Sequence, residues 1–349
     1  MRKWIGIGSA LAFAAAVGVW ALAPTKTDEG EVGYRAVKFS AEHQRKKLKG
    51  GVWYPSSAIG TPKIIGENKV FKGSEVKLGA KIDDGSYPLV VLSHGIGGDL
   101  RSLSWLANAL ASQGVIVAGV NHPYGTWRDF DLERAIKHWQ RPKDISALID
   151  VILADPKLKD RIDETRIIAA GFSYGGWTAL SLAGAQNDQD GFISACESQR
   201  EIGPQCDKIL EDDVGVRNLN EATWNASYRD PRVSGAVSID PGLVWGVNEE
   251  SFKNLSSNTK IIGLGSETTR MIATNFDASG MADYLDKDMF VRLAPAVHFS
   301  AMPHCKPDGP AILRQENDDP ICDEPEGGDR HKTHARIIEE TLGVINAAG

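Results

Sequence analysis

Gly171-Phe172-Ser173-Tyr174-Gly175-Gly176 follows the apolar run Arg166-Ile167-Ile168-Ala169-Ala170 and leads into Trp177-Thr178-Ala179-Leu180-Ser181-Leu182-Ala183. The order is strand, sharp turn, small-residue helix, with a serine at the apex. A turn this tight predicts a strained backbone at Ser173. It also puts Gly171 and Gly175 where any side chain would strike the neighbouring strand or helix. The hydroxyl is then presented at the carboxyl edge of a sheet, beside helix amides whose dipoles favour developing negative charge. G-x-S-x-G alone is a short pattern. The strand before it and the helix after it make it read as a nucleophile rather than as a glycine-rich turn with an incidental serine.

The flanking sequence repeats the same alternation. Pro88 to Leu92 and Val115 to Val120 are continuous apolar runs of strand length, as expected for strands buried on both faces. Val233 to Ile239, Lys260 to Leu264 and Met289 to Leu293 predict three more strands. Helices are expected over Ser102 to Gln113, stopped by Gly114, over Lys143 to Ala154, and over Thr333 to Asn346. Tyr34 to Phe39 and Lys47 to Tyr54 predict two leading strands, and residues 58–86 a hairpin at the sheet edge. The fold class is therefore α/β, a mostly parallel central sheet with helices on both faces. A polar insertion at about 185–230 interrupts the alternation after the nucleophile helix and is expected to act as a cap. A second, at about 301–330, reads as a polar loop within a domain running from 33 to 349.

With 349 residues, 42% hydrophobic and 24% charged, the chain suits one large domain with insertions. Its net charge of −7 gives no reason to expect nucleic acid as a partner. Arg2 and Lys3 precede the uncharged stretch Trp4 to Ala23, so residues 1–23 read as an export signal or, uncleaved, as a membrane tether through residues 4–23. Pro24 directly follows the small-x-small site Ala21-Leu22-Ala23. A secreted or periplasmic location is expected, with a membrane-anchored exported domain as the alternative. Four cysteines in an exported chain argue for disulfides. The local pairs are Cys196 with Cys206 and Cys305 with Cys322, each stapling one insertion.

A serine hydroxyl needs a base, and the base needs an acid to orient it. In this fold class the chain order is serine, acid, histidine. His43, His94, His122 and His138 precede Ser173 and have the wrong order; His94 reads as a residue that fixes loop geometry. His298, just beyond the last strand, is the expected base, with His304 the nearest rival. His331 and His334 have H-x-x-H spacing without a third metal ligand in view. Two carboxylates compete for the acid: Asp240, ending one strand, and Glu267, ending the next. The oxyanion donors are expected to be the backbone N–H groups of Tyr174 and Ile96. Trp177, Trp245, Tyr124 and Trp127 are candidates to line a substrate pocket, each also suited to ordinary packing. This chemistry requires neither metal nor organic cofactor.

The ordered set of motifs resembles the α/β-hydrolase superfamily. More narrowly, it is similar to the branch that holds platelet-activating factor acetylhydrolases and predicted dienelactone hydrolases with a serine nucleophile. The resemblance rests on Val52-Trp53-Tyr54-Pro55, Val91-Leu92-Ser93-His94-Gly95-Ile96-Gly97-Gly98 and Leu110 to Ala118 with Asn121-His122. Arg141-Pro142-Lys143-Asp144-Ile145-Ser146, the serine turn, Ser238-Ile239-Asp240 and Val297-His298 complete it. It implies that the acid follows the strand ending at Asp240, which places Asp240 ahead of Glu267. It further implies a serine esterase working through an acyl-enzyme on a small or lipid-like ester. The alternatives are a polyester- or lipid-degrading hydrolase, a prolyl-oligopeptidase-like secreted peptidase, and a non-catalytic binding module on the same fold.

Overall fold

Pro88 to Leu92 bury their side chains alternately on the two faces of one sheet. Val90 and Leu92 pack with Leu103, Leu106 and Leu110, whereas Leu89 and Val91 pack with Ile145, Leu148 and Ile149. Each such side chain contributes about 1.5–3 kcal/mol relative to an exposed one. The structure is a computed structural model and describes residues 31–202, 206–211, 215–266 and 268–349. The expected export segment, residues 1–23, and the alternative acid Glu267 lie outside the described residues.

Among the described residues ten strands form one sheet. Strands β5 (Tyr87–Ser93), β6 (Ile116–Asn121), β7 (Ile162–Phe172), β8 (Val233–Ile239), β9 (Thr259–Leu264) and β10 (Phe290–Leu293) are all parallel, in the order β10-β9-β8-β7-β5-β6. Antiparallel β2 (Leu48–Pro55) and β1 (Val32–Phe39) extend it beyond β6, and the hairpin of β3 (Thr61–Ile65) and β4 (Ser74–Leu78) forms the edge. Helices α1 (Ser104–Ala111), α2 (Gln140–Leu153), α3 (Tyr174–Ala183) and α6 (Arg330–Ala347) cover the faces, α1 and α6 on one, α2 and α3 on the other. All parallel strands point their carboxyl ends at one rim, which gathers residues from distant parts of the chain.

Helix boundaries differ from expectation for local reasons. The helix expected from Ser102 opens instead as a 3-10 turn, Leu100–Leu103, because the Asp99 carboxylate accepts the Arg101 N–H. Helix α2 starts at Gln140 rather than Lys143. Pro142 lies in its first turn, where a missing N–H costs nothing. Helix α6 starts at Arg330, capped by the Asp329 side chain, which accepts from the His331 and Lys332 amides.

The first insertion holds α4 (Gln189–Ser198), joined to the short helix Cys206–Leu210 by Cys196–Cys206, with Cα atoms 5.4 Å apart. Its Phe192, Ile202 and Trp224 build a third core with Trp139, Trp177 and Trp245. It braces the loop after β8 by a glycine-to-glycine approach: a Cβ on Gly191 would lie 2.0 Å from the Gly246 carbonyl oxygen. The second insertion is more than a loop. It contains α5 (Gly309–Glu316), held by Cys305–Cys322 with a Cα separation of 5.9 Å.

Candidate active site

Strand β7 ends at Phe172 and α3 begins at Tyr174, leaving Ser173 between them at φ 56°, ψ −123°. A non-glycine residue there carries about 1–3 kcal/mol of strain that the surroundings must hold. They hold it through backbone bonds. The Ser173 N–H donates to the Ile239 carbonyl at 2.8 Å, and its own carbonyl accepts from Gly176 (2.8 Å) and Gly242 (3.0 Å). The glycines are required by close approach: a Cβ on Gly175 would lie 1.9 Å from the Ser93 carbonyl oxygen, and one on Gly171 2.1 Å from that of Gly175.

Asp240 follows Ile239, the residue that accepts the Ser173 amide, and its side chain is fully buried. Its Oδ1 accepts from the Leu264 N–H at 2.8 Å; its Oδ2 accepts from Thr274 Oγ1 at 2.8 Å and from His298 Nδ1 at 2.6 Å. These donors meet the needs of a buried carboxylate. They also fix the His298 tautomer, since a ring nitrogen facing a carboxylate must donate, leaving Nε2 as the free base nitrogen. The His298 ring lies against Phe172, with centroids 4.6 Å apart, one residue before Ser173. The fold thus joins His298 to Asp240 directly. It ties Ser173 to the same rim through its neighbours, its N–H bonded to Ile239 and Phe172 against the His298 ring; among the described residues Ser173 Oγ makes no hydrogen bond to His298.

His298 starts a 3-10 turn, His298–Ala301, that the second insertion supports. The Val297 N–H donates to Ser300 Oγ (3.0 Å), Ser300 Oγ donates to Glu324 Oε2 (2.6 Å), and Arg330 Nε donates to Glu324 Oε1 (2.6 Å). From the other side Trp105 Nε1 donates to the Ala301 carbonyl at 3.0 Å.

The loop after β5 runs past the serine: a Cβ on Gly95 would sit 3.3 Å from Ser173 Cβ. Among the described residues neither the Ile96 nor the Tyr174 N–H has a hydrogen-bond acceptor. His94 shapes this loop. Burial, first, and the nearby Arg141 cation hold its pKa well below the ordinary histidine value. The neutral ring donates from Nδ1 to the Gly95 carbonyl (2.7 Å) and accepts the His122 N–H at Nε2 (3.1 Å).

The remaining histidines stand apart from Asp240. His304 stacks on His331 at 3.8 Å and lies 4.7 Å from His334, which in turn stacks on Trp105. Burial lowers the His304 pKa to about 4 and that of His334 to about 3. Among the described residues no group of three histidine, cysteine or acidic side chains is placed to hold a metal ion.

The four candidate pocket aromatics do not share one surface. Trp177 is 1% exposed and belongs to the third core, and Trp245 is buried there with its Nε1 donating to the Ile272 carbonyl at 2.8 Å. Both pack in the third core beneath the insertion, the ordinary-packing reading that the sequence also allowed. Trp127 is instead 61% exposed, on a loop whose Thr126 bridges to Gly97 beside exposed Ile96, and Tyr124 lies between the Lys46 and Arg134 cations. Sequence reasoning missed Thr274 and the Glu324–Ser300 brace. Nothing local marks them, because their partners are 34 and 24 residues away.

Comparison with known proteins agrees with this architecture. The family model described as the prolyl oligopeptidase family matches residues 101–195, and that of platelet-activating factor acetylhydrolase, isoform II, matches residues 61–125. Two cutinases of Thermobifida alba, est1 and est2, are each 29% identical over 108 residues, 30% of this chain. The chain spans about a third of the length of these curated relatives, 33%. A ferulic acid esterase from Streptomyces cinnamoneus superposes with a TM-score of 0.58 at 18% identity, covering 94% of this chain and 92% of that one. The chain has the α/β-hydrolase fold.

Proposed function

We propose that this chain is a carboxylic ester hydrolase in which Ser173, His298 and Asp240 act as nucleophile, base and acid. The observation that carries the reading is the 2.6 Å bond from His298 Nδ1 to a fully buried Asp240, whose preceding residue, Ile239, accepts the amide of a serine at positive φ. Ser173 Oγ attacks the acyl carbon while His298 Nε2 takes its proton. The C–O bond to the alcohol then breaks, and His298 returns the proton to the leaving oxygen. Water repeats the sequence on the acyl-enzyme. The Ile96 and Tyr174 amides receive the oxyanion, one such donor being worth about 3–4 kcal/mol in the transition state. Asp240 keeps the imidazole in the required tautomer throughout.

The matches to cutinases and to the acetylhydrolase model support an ester rather than an amide substrate. The exposed Ile96, Trp127 and Phe130 favour a second reading, hydrolysis of esters presented on a lipid or polyester surface. The first insertion acts as a cap beside the site. We place the enzyme outside the cytoplasm, since two disulfides suit an oxidising compartment.

Ser173→Ala is expected to abolish hydrolysis of a short p-nitrophenyl ester while leaving the thermal melt nearly unchanged. Retained turnover would overturn the assignment of the nucleophile. Faster cleavage of a matched p-nitroanilide would favour a peptidase, and preference for emulsified over dissolved ester the surface reading.

A further inference from the structure

One buried cation stands behind both amides assigned to the oxyanion. Arg141, in the first turn of α2, is 4% exposed. Its Nη1 donates to the His94 carbonyl at 2.6 Å and reaches Ser93 Oγ at 3.4 Å, so it grips the backbone directly before the Gly95–Ile96 peptide. The same guanidinium lies over the Tyr174 ring, 4.6 Å from its centroid. That ring is fixed at its far end, where the hydroxyl donates to the Ala135 and Ile136 carbonyls at 3.0 and 3.2 Å. Burial pushes the Tyr174 pKa up, keeping that donor proton in place.

Among the described residues Arg141 forms no direct ion pair. The carboxylate whose charge acts on it, Asp144, is taken by His122 Nδ1 (2.9 Å), His43 Nε2 (2.7 Å) and Gln44 Nε2 (2.9 Å). Burial alone would raise the Asp144 pKa, but these bonds outweigh it and lower the value. His122 is neutral at pH 7, its pKa lowered to about 4 by burial and by the Arg141 charge. Its Nε2 can therefore accept from Ser93 Oγ, at 2.9 Å. Ser93, His122 and Asp144 thus repeat the serine–histidine–carboxylate order in a place no substrate reaches, Ser93 and His122 each being 1% exposed. The Arg141 pKa falls only to about 10 through burial, so the cation persists at neutral pH, and its Nη2 is buried without a partner among the described residues.

We infer that Arg141 is a positioning residue for the oxyanion site. It clamps the His94 carbonyl and the Tyr174 ring to one rigid plane, setting the separation of the Ile96 and Tyr174 amides. The Ser93–His122–Asp144 array holds the β5 end against which that plane bears. A planar fork bonded on one edge and set over an aromatic ring does this; an ammonium on a flexible stem does not. The inference rests on the ester-hydrolase reading of Ser173.

The test uses the whole chain with Arg141→Lys, which keeps the charge, and Arg141→Ala with added methylguanidinium. Short-ester kinetics are read alongside inhibition by a trifluoromethyl ketone, whose serine adduct carries the oxyanion. Arg141→Lys is expected to lower kcat about 10- to 100-fold, less than outright loss of a donor, with KM within about twofold and the ketone weakened in parallel. Methylguanidinium is expected to restore part of the Arg141→Ala rate. Unchanged kcat and ketone affinity in Arg141→Lys, with only a lower melting temperature, would overturn the inference and leave the hydrolase reading intact. A parent chain with no Ser173-dependent turnover would overturn both.

Discussion

At Asp240 the backbone turns into the left-handed region, φ 43°, and the carboxylate faces three donors at once. Aspartate and asparagine are the side chains that tolerate this conformation best, so Asp240→Asn removes charge without adding backbone strain. The amide can no longer accept at both oxygens, and the His298 tautomer is lost. Turnover of a soluble ester is expected to fall by up to about 10⁴-fold, the drop that follows the same change in a serine protease, with the fold retained by circular dichroism. A larger loss from Glu267→Gln would move the acid to that residue. Ser173 was legible because its glycines and flanking strand are contiguous in sequence. Thr274 and Arg141 were not, since each acts through a partner reached only after folding. Arg141 stood in a recognisable motif, but no rule of spacing links it to a carbonyl 47 residues earlier.

The first insertion and the loop after β8 meet where two glycines leave no room for a methyl group. A Cβ on Gly191 would lie 2.0 Å from Gly246 O and 2.9 Å from Gly246 C, backbone atoms that cannot rotate away. Gly191→Ala must therefore push α4 off the segment that begins at Asp240. A stability loss of about 1–3 kcal/mol is expected from such overpacking, accompanied by lower kcat in the folded fraction; denaturant titration and kinetics on one preparation would show both. An unchanged melt and rate would mean that the insertion does not brace the acid. The second insertion supports the His298 turn by hydrogen bonds instead, through Glu324 to Ser300 and Arg330. Sheet strands were readable because burial on both faces demands unbroken apolar runs. The insertions were not, because their short helices are held by a disulfide and by tryptophans from elsewhere, and so carry little periodicity of their own.

Across the molecule the parallel strands do one thing that no single motif does: they bring residues 96, 173, 240 and 298 to a common rim. The central parallel strands are buried on both faces and hold one register, which fixes where their carboxyl ends fall. Two staples, each in an insertion bordering the rim, restrict the same region of the chain. In the chain-entropy view loops of this size add about 3 kcal/mol each. The most direct measurement is covalent. A fluorophosphonate probe should add once per chain, with peptide mapping placing the adduct on Ser173, and His298→Ala should slow labelling at least about 100-fold, the usual worth of a general base. An adduct on another residue, or none on a folded chain, would remove Ser173 from the chemistry.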